Sequence, residues 1–338
     1  HHVNCPGDGC FAPSKLMQPS LVPLSIGDVF DEAFDLYKAN FGLFAGIVAV
    51  LHVPTQIGMA ILLQASGIPA MMDRLGRRDI GESVSTMTSV LVTAFSVHFL
   101  VWCLQAFSFA VQSAALTLAV SERYLGRQVS VRDVYRAALR RLIPLLGTWL
   151  LVVMAVVGTV FGMLWAGLIA LFAAASGVPE NAPSEQTMLI GGILALAAAG
   201  VAGLFSLVAF GTFVTQEVVL EKVAYREAII RNWRLIRRRF LPVCGAILLC
   251  ALFVGCYFFT IYGTMLYAIW TASSLFPLIE SLSTDWLISG LAALVWLFIQ
   301  PFPMICITLL YYDQRVRREG LDITMLERHL AAAHGVRA

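Results

Sequence analysis

Among the neutral polar residues within apolar stretches of the sequence, five are candidates to hold a ligand or relay a proton. They are His52, Gln56, His98, Gln105 and Gln300. Each histidine lies about ten residues from an end of its stretch, so both are expected near mid-depth at a rise of ~1.5 Å per residue. We expect the two rings to face one another across a helical hairpin. Pro54 and Pro301 would expose backbone carbonyls beside these side chains.

Two interpretations of these polar residues stay open. The first is an intramembrane site for a proton, a pigment or quinone, or a small polar substrate, with His52 and His98 as ligands or relays. The second is hydrogen bonding of ~0.6 kcal/mol per contact that packs neighbouring helices. No cofactor class is singled out by either.

Thiols and imidazoles occur together near the start of the chain. His1, His2, Cys5 and Cys10 are potential zinc donors, but their spacing lacks the second C-x2-C pair of a zinc knuckle. We therefore predict no metal site, with Cys5 and Cys10 as the one candidate pair. The alternative is that residues 1–23 form a disordered lead-in, of which 1–16 precede Met17 and resemble a tag or upstream stretch.

Motifs of the common enzyme classes are absent. The sequence contains no phosphate-binding loop, no H-E-x-x-H, no G-x-S-x-G and no haem-attachment motif. The longest apolar stretches also hold no Asp, Glu, Lys or Arg, and ion-coupled carriers usually need such groups at depth. The sequence thus predicts a protein that is neither an enzyme nor a coupled pump.

The amino-acid composition indicates whether this chain is surrounded by water or by lipid. Hydrophobic residues make up 59% and charged residues 13%, against ~25% charged residues in soluble domains. The mean hydropathy is +0.80. The formal charge of +2 is spread over short clusters, without the basic surface of a nucleic-acid-binding protein. We predict an integral membrane protein.

Charge-free stretches predict an all-α fold, a polytopic membrane bundle of about six transmembrane helices. Each stretch exceeds the ~20 residues that cross a bilayer core. A membrane domain over 24–312 is expected, followed by a C-terminal tail over 313–338. The predicted spans are 42–64, 88–120, 143–170, 187–214, 241–270 and 286–311.

Arginine placement predicts the orientation. Clusters between spans two and three, between spans four and five, and after span six are rich in Arg, whereas the segments around Glu180 and Glu280 contain no basic residue. The positive-inside rule then places both termini in the cytoplasm. Arg74, Arg77 and Arg78 are the exception, since they would lie outside. Anionic-lipid contacts are expected for Arg140, Arg141, Arg237, Arg238 and Arg239.

A short amphipathic helix is predicted before each odd-numbered span. The first has a capping-box pair, Ser25 and Asp28, and an apolar stripe. Similar segments begin near Ser130 and Tyr225. Three parallel copies of one hairpin unit are therefore possible, and the alternative is that any juxtamembrane helix shows this pattern.

Charges of alternating sign follow the last span. Asp313 and Glu319 lie beside Arg315, Arg317 and Arg318, and we interpret this pattern as a solvated, salt-bridged helix face. Gly320 is expected to end that helix.

The two ends of the membrane domain resemble a known family. The opening PLSIGDVFDEAFDLYKANF and the closing LYYDQRVRREGLD are similar to the membrane domain attached to some bacterial glycerophosphoryl diester phosphodiesterases. The resemblance extends from about Leu24 to Leu326. It implies a multi-pass protein of the bacterial cytoplasmic membrane and carries no chemistry, because its motifs mark helix ends.

Two functions are expected from these observations. The first is a non-enzymatic accessory or scaffolding subunit that packs against other membrane proteins in the bilayer. The alternative is an uncoupled permease or lipid-handling protein that uses a cavity between the hairpins.

Overall fold

The fold is seen in a computed structural model, which describes residues 24–67, 83–176, 185–275 and 284–320. Within these ranges the chain is almost entirely α-helical and contains no strand. The prediction of an all-α fold is confirmed. Outside the described ranges lie the predicted lead-in, the segments around Arg74, Glu180 and Glu280, and most of the predicted tail.

The helices follow one another in a recurring order of one short helix and two long apolar segments, the last of which is broken into two helices. Unit 1 consists of α1 (Ile26–Ala39), α2 (Phe41–Ala65) and α3 (Ser83–Tyr124). Unit 2 consists of α4 (Val131–Leu139), α5 (Leu142–Ser176) and α6 (Glu185–Gly211), and a short helix, α7 (Val214–Leu220), follows it. Unit 3 consists of α8 (Tyr225–Ile236), α9 (Phe240–Leu275), α10 (Thr284–Ile299) and α11 (Pro301–Glu319).

Among the described residues, six segments are long and apolar enough to cross a membrane, as the composition predicts. They are Phe41–Ala65, Val92–Tyr124, Leu142–Ile169, Ile190–Leu220, Phe240–Ala268 and Gly290–Glu319. The last segment is the most enclosed, with 61% of its most apolar window buried against 6% for Leu142–Ile169. The α10–α11 segment therefore lies at the centre of the bundle.

Capping residues explain where α1 and α4 begin and where the last helix ends. The predicted box is present, since the Ser25 hydroxyl accepts the Asp28 amide at 3.2 Å and Asp28 accepts the Ser25 amide at 2.9 Å. Ser130 caps α4 in a similar way. Gly320 ends α11 with a left-handed φ of 60°, as predicted, because glycine adopts this conformation at little cost.

Two of the predicted spans are interrupted helices. The helix breaks at Thr212–Phe213 between α6 and α7, and at Gln300 between α10 and α11. The second break follows from Pro301, whose ring cannot continue a preceding helix without losing a hydrogen bond. Pro54, in contrast, lies inside the continuous α2.

The core lies at one end of the bundle, which we call the arginine-rich end. There α1 packs on α11, α4 on the end of α3, and α8 on α5 and α6. Fully buried residues such as Phe44, Leu145 and Tyr311 belong to this core. Away from it, the long helices pack as hairpins, α2 with α3, α5 with α6 and α9 with α10, and expose apolar side chains as membrane helices do.

Candidate functional site

His52 is buried where α2 meets α10. It is 1% exposed, and its Nε2 donates to the carbonyl oxygen of Ala293 over 3.1 Å. Beside it lies a half-open cavity of about 280 Å³, lined by Gln56, Gly290 and apolar side chains of both helices. We call this the histidine cavity.

The other predicted polar residues do not join His52 around this cavity. His98 is exposed, and its Nδ1 donates to the Ala94 carbonyl of its own helix over 2.8 Å. The expected facing pair of histidines is therefore not formed, because His52 contacts unit 3 while His98 lies on the outer surface of α3. Gln105 is half-buried on α3, and Gln300 is buried at the break before α11.

One hydrogen bond between buried hydroxyl groups connects α2 to α3, and a second bond within α3 shares its acceptor. Thr55 Oγ1 donates to Ser108 Oγ over 3.1 Å, and Gln112 Nε2 donates to the same oxygen over 2.6 Å. The bond between Thr55 and Ser108 packs one helix against another, as the second interpretation of the polar residues expects.

A second cavity of about 300 Å³ is lined mainly by aromatic rings. Phe34, Tyr37 and Phe41 contribute from unit 1, and rings of α9, α10 and α11 line the opposite wall. Tyr37 donates its hydroxyl to the Phe298 carbonyl over 2.7 Å, and burial raises the pKa of Tyr37 to about 12. The phenol therefore keeps its proton at neutral pH. We call this the aromatic cavity.

A third cavity of about 430 Å³ opens at the arginine-rich end. Its walls are the start of α1, the start of α9 and the end of α11. Charged and amide side chains line it together with apolar ones. The polar lining consists of Ser25, Asp28, Arg239, Asp313, Gln314 and Arg317. We call this the arginine cavity.

The three cavities follow one another along α10 and α11, always between units 1 and 3. Residues 290–297 line the histidine cavity, 298–302 the aromatic cavity and 310–317 the arginine cavity. The middles of the first and last stretches are about 30 Å apart at ~1.5 Å per residue. The polar cavity thus lies at one end of a series whose other members are apolar.

A buried charge cluster connects α7, α8 and α11 at the same end of the molecule. Glu217 is fully buried, and Arg231 Nε lies 3.0 Å from its Oε2. Arg231 also contacts Glu319 over 3.1 Å, and Arg315 pairs with both Glu221 and Glu319. The cluster therefore contains three carboxylates and two guanidinium groups.

Sequence reasoning missed Glu217, because the fourth charge-free stretch was taken to end just before it. The signal was present in the sequence, since three apolar residues follow Glu217 directly and two more lie within about one helical turn before it in FVTQEVVL. The interpretation of the last charges as a solvated face was wrong for Asp313, which is 5% exposed. Its carboxylate accepts Arg317 Nε over 2.8 Å and the Leu24 amide over 2.9 Å, so it fixes the start of unit 1 to α11.

The predicted lipid-contacting arginines lie at the arginine-rich end. Arg140, Arg237, Arg238 and Arg239 are exposed, and Arg141 is half-buried. Cys5 and Cys10 lie outside the described residues. Within the described ranges, no cluster of three or more metal-ligating side chains occurs.

The fold and its cavities define a class, a multi-pass helical membrane protein with lateral cavities between its first and last units. Residues 80–314, more than half of the chain, match the family described as Domain of unknown function (DUF7847). The chain belongs to that family. No curated protein and no solved structure was found to match it.

Proposed function

We propose that this protein is a non-enzymatic, lipid-handling protein of the bacterial cytoplasmic membrane, and that it holds a phospholipid between units 1 and 3. The observation that carries this proposal is the series of three cavities along α10 and α11. A polar cavity at one end, where Arg239 is the arginine without an ion-pair partner among the described residues, and apolar cavities beyond it complement an amphiphile.

The distance from the arginine cavity to the aromatic cavity, about 20 Å at ~1.5 Å per residue, agrees with the length of a phospholipid in one leaflet. A bilayer core is ~30 Å thick, so one leaflet occupies about half of the ~30 Å along which the cavities are spaced. A head group in the arginine cavity would place its acyl chains along the aromatic cavity. The chain ends would then approach the histidine cavity, whose lining is almost wholly apolar apart from His52 and Gln56.

The positions of the arginine residues support a cytoplasmic location for the arginine-rich end. Exposed arginines at the arginine-rich end would contact lipid phosphates, each attracted by ~1 kcal/mol at an anionic surface. The positive-inside rule makes this end cytoplasmic and keeps both termini inside. The resemblance to phosphodiesterase membrane domains agrees with such a protein but supplies no catalytic residue.

Photolabelling tests the proposal directly. The purified protein would be mixed in detergent with a phospholipid that carries a diazirine at the end of one acyl chain, irradiated and mapped by peptide mass spectrometry. We expect labelling to concentrate on residues 52–61 of α2 and 290–302 of α10 and α11. Labelling spread evenly over the exposed faces of α5 and α6 would refute the proposal.

The accessory or scaffolding role stays a second candidate because of one exposed stripe. Phe95, Phe99 and Trp102 are each at least 63% exposed on α3, at a spacing that places them on one helix face. Lipid or a partner helix would cover this stripe equally well. Substituting all three by Leu would release a co-purifying membrane partner if the scaffolding role is correct, and would leave the photolabelling pattern unchanged.

A further inference from the structure

The aromatic cavity has walls that suit a flat ring better than a flexible chain. All but two of the residues that line it are aromatic, and the two exceptions are aliphatic. Phe41 of α2 stacks on Phe298 of α10 with ring centroids 5.7 Å apart, and Phe253 of α9 contacts Phe302 of α11 over 5.1 Å. Aromatic rings favour stacked and edge-to-face contacts, which a flat ligand ring can extend.

The rings of this cavity are accessible to a ligand. Five of them are 43–49% exposed, namely Phe34, Phe41, Phe253, Tyr257 and Phe298. The cavity volume of about 300 Å³ is at the lower end of the ~300–1,000 Å³ that small-molecule sites occupy. One or two fused rings that enter from the bilayer can therefore fill it.

Two phenol groups supply hydrogen-bonding atoms to the cavity. Tyr37 donates its proton to the Phe298 carbonyl over 2.7 Å, so its oxygen keeps lone pairs for a ligand but no proton. The Tyr257 hydroxyl makes no hydrogen bond within the described part of the chain, and it lies near enough to Tyr37 to act on it electrostatically. Tyr257 can therefore donate to a ligand, and the complementary group is a carbonyl oxygen.

The charges around the cavity favour a neutral ligand. Within the part of the chain that the structure describes, neither a carboxylate nor a basic side chain lines the cavity. Lys38 Nζ lies 4.5 Å from the centroid of the Phe34 ring and 3.1 Å from Asp35, so both charges are already engaged. Organic cations are common ligands of aromatic sites, but here a cation would meet Lys38 and find no free counter-ion.

The histidine cavity continues the aromatic cavity along α10. Residues 290–297 line the first and 298–302 line the second, so their middles are about 10 Å apart at ~1.5 Å per residue. Apart from His52 and Gln56, the lining of the histidine cavity is apolar. It offers space for a hydrocarbon tail attached to a ring in the aromatic cavity.

We infer that the aromatic cavity binds a membrane-soluble quinone, a neutral conjugated ring that bears carbonyl oxygens and a hydrocarbon tail. The Tyr257 hydroxyl donates to one carbonyl oxygen, the aromatic walls contact the faces and edges of the ring, and the tail extends into the histidine cavity. The quinone competes with an acyl chain for the same space, so this site goes beyond the proposed lipid-handling function.

Retention of two ligands with the same tail tests the inference. Phylloquinone carries a naphthoquinone ring on a phytyl tail, and phytol carries the tail without the ring. Purified, delipidated protein in detergent would be mixed with each ligand, and bound ligand would be counted by native mass spectrometry. We expect phylloquinone to be retained about tenfold better than phytol, because only the quinone contacts the rings and Tyr257. Equal retention would overturn the inference.

Variants of α9 assign the binding to its residues. Tyr257→Phe keeps the ring, removes the donor and should weaken phylloquinone retention about fivefold. Tyr262→Phe is the matched control on the same helix, since Tyr262 does not line the cavity. Phe253→Leu should weaken the retention of phylloquinone and leave that of phytol unchanged. Equal effects of Tyr257→Phe and Tyr262→Phe would overturn the assignment of the donor.

Competition separates the quinone site from the proposed function. Phylloquinone should lower acyl-chain photolabelling of residues 290–302 at least about fivefold, on the order of one lost hydrogen-bond equivalent of binding free energy. If the photolabel avoids α2 and α10 while phylloquinone is retained, lipid handling is refuted and the quinone site stands. If the label is found there and phylloquinone does not displace it, only the quinone site falls.

Discussion

At the scale of single residues, burial separates side chains that look equivalent in the sequence. His52 and His98 are both histidines within apolar helices, yet one is enclosed and bonded to another unit, and the other is exposed and bonded to its own helix. Because of this difference in hydrogen bonding, we expect His52 to contribute more to the stability of the fold than His98. Only the bond of His52 connects two units.

Replacing these histidines should affect stability unequally. His52→Leu is expected to lower stability by ~0.6 kcal/mol, the average for a hydrogen bond between membrane helices, or somewhat more if repacking is poor. His98→Leu, the matched control, should change stability by less than ~0.5 kcal/mol, as exposed substitutions usually do. Thermal unfolding in detergent measures both. A larger loss from His98→Leu would contradict the assigned contacts.

Gly290 provides a test of the histidine cavity. Gly290 lines the cavity, and a Cβ added there meets no atom within 4 Å, so a larger side chain at this position starts without a clash and takes up space in the cavity. Gly290→Phe is expected to reduce acyl-chain photolabelling of α2 at least fivefold, on the order of ~1 kcal/mol of lost lipid contact. The control is Gly158→Phe on α5, where a Cβ likewise meets nothing. Reduced labelling in the control alone would refute the location.

At the scale of elements, the caps position α1 over α11. Ser25→Ala removes the hydroxyl that accepts the Asp28 amide and should destabilise the start of α1 by ~1 kcal/mol. Hydrogen exchange of the α1 amides measures this loss. Ser25→Thr keeps the hydroxyl and should retain most of the protection. Equal exchange in both variants would show that the cap is not formed.

The Ser25–Asp28 cap also makes the stability of α1 depend on pH, in a direction that follows from the pKa of Asp28. Hydrogen bonds from the Ser25 side chain and backbone lower the pKa of Asp28 below its ordinary value of 3.8. An acid with a lowered folded-state pKa stabilises the fold above its unfolded pKa and loses that contribution as pH falls through the folded value. Protection of α1 should therefore be constant down to about pH 4 and decline below it. Ser25→Ala should weaken this decline.

Which elements are predictable from the sequence follows from the physics that forms them. The six apolar segments and the Ser25 cap depend on local composition, so they were predicted. The position of Asp313 depends on α1 returning to α11 across nearly the whole chain, and no local pattern encodes that contact. The cavities between units 1 and 3 were anticipated only as a space between hairpins, because their walls come from distant segments.

At the scale of the whole molecule, the charge cluster joins the end of unit 2 to both ends of unit 3. Glu217 comes from α7, Arg231 from α8 and Glu319 from α11. A buried carboxylate is costly unless it is paired. The cluster therefore stabilises the packing of the three helices against one another rather than any single helix.

Replacing one partner of the Glu217–Arg231 pair should lower the stability of the fold more than replacing both partners. Arg231→Met leaves Glu217 without its guanidinium, and we expect a loss of ~3–5 kcal/mol. Glu217→Gln should cost less, since no unpaired charge remains buried. The double variant should recover part of the loss, which a double-mutant cycle of unfolding free energies measures. Strict additivity would show that Glu217 and Arg231 do not interact.

The orientation of the molecule is tested by cysteine accessibility. Exposed Arg127 lies in the connection from unit 1 to unit 2, and exposed Lys222 lies in the connection from α7 to unit 3. Both are at the arginine-rich end, so both must be accessible from the same side of the membrane. After replacement of the native cysteines, Arg127→Cys and Lys222→Cys should resist a membrane-impermeant maleimide in intact cells and react after lysis, because the positive-inside rule makes this end cytoplasmic.

Arg74→Cys supplies the opposite arm of that experiment. The first hairpin returns to the arginine-rich end at Tyr124, so the segment joining α2 to α3 is predicted on the external side despite its three arginines. Cys at position 74 should react in intact cells. Labelling of positions 127 and 222 but not 74 would invert the orientation and place the proposed head-group site in the outer leaflet. A split result between positions 127 and 222 would contradict the packing of α3 against α7 itself.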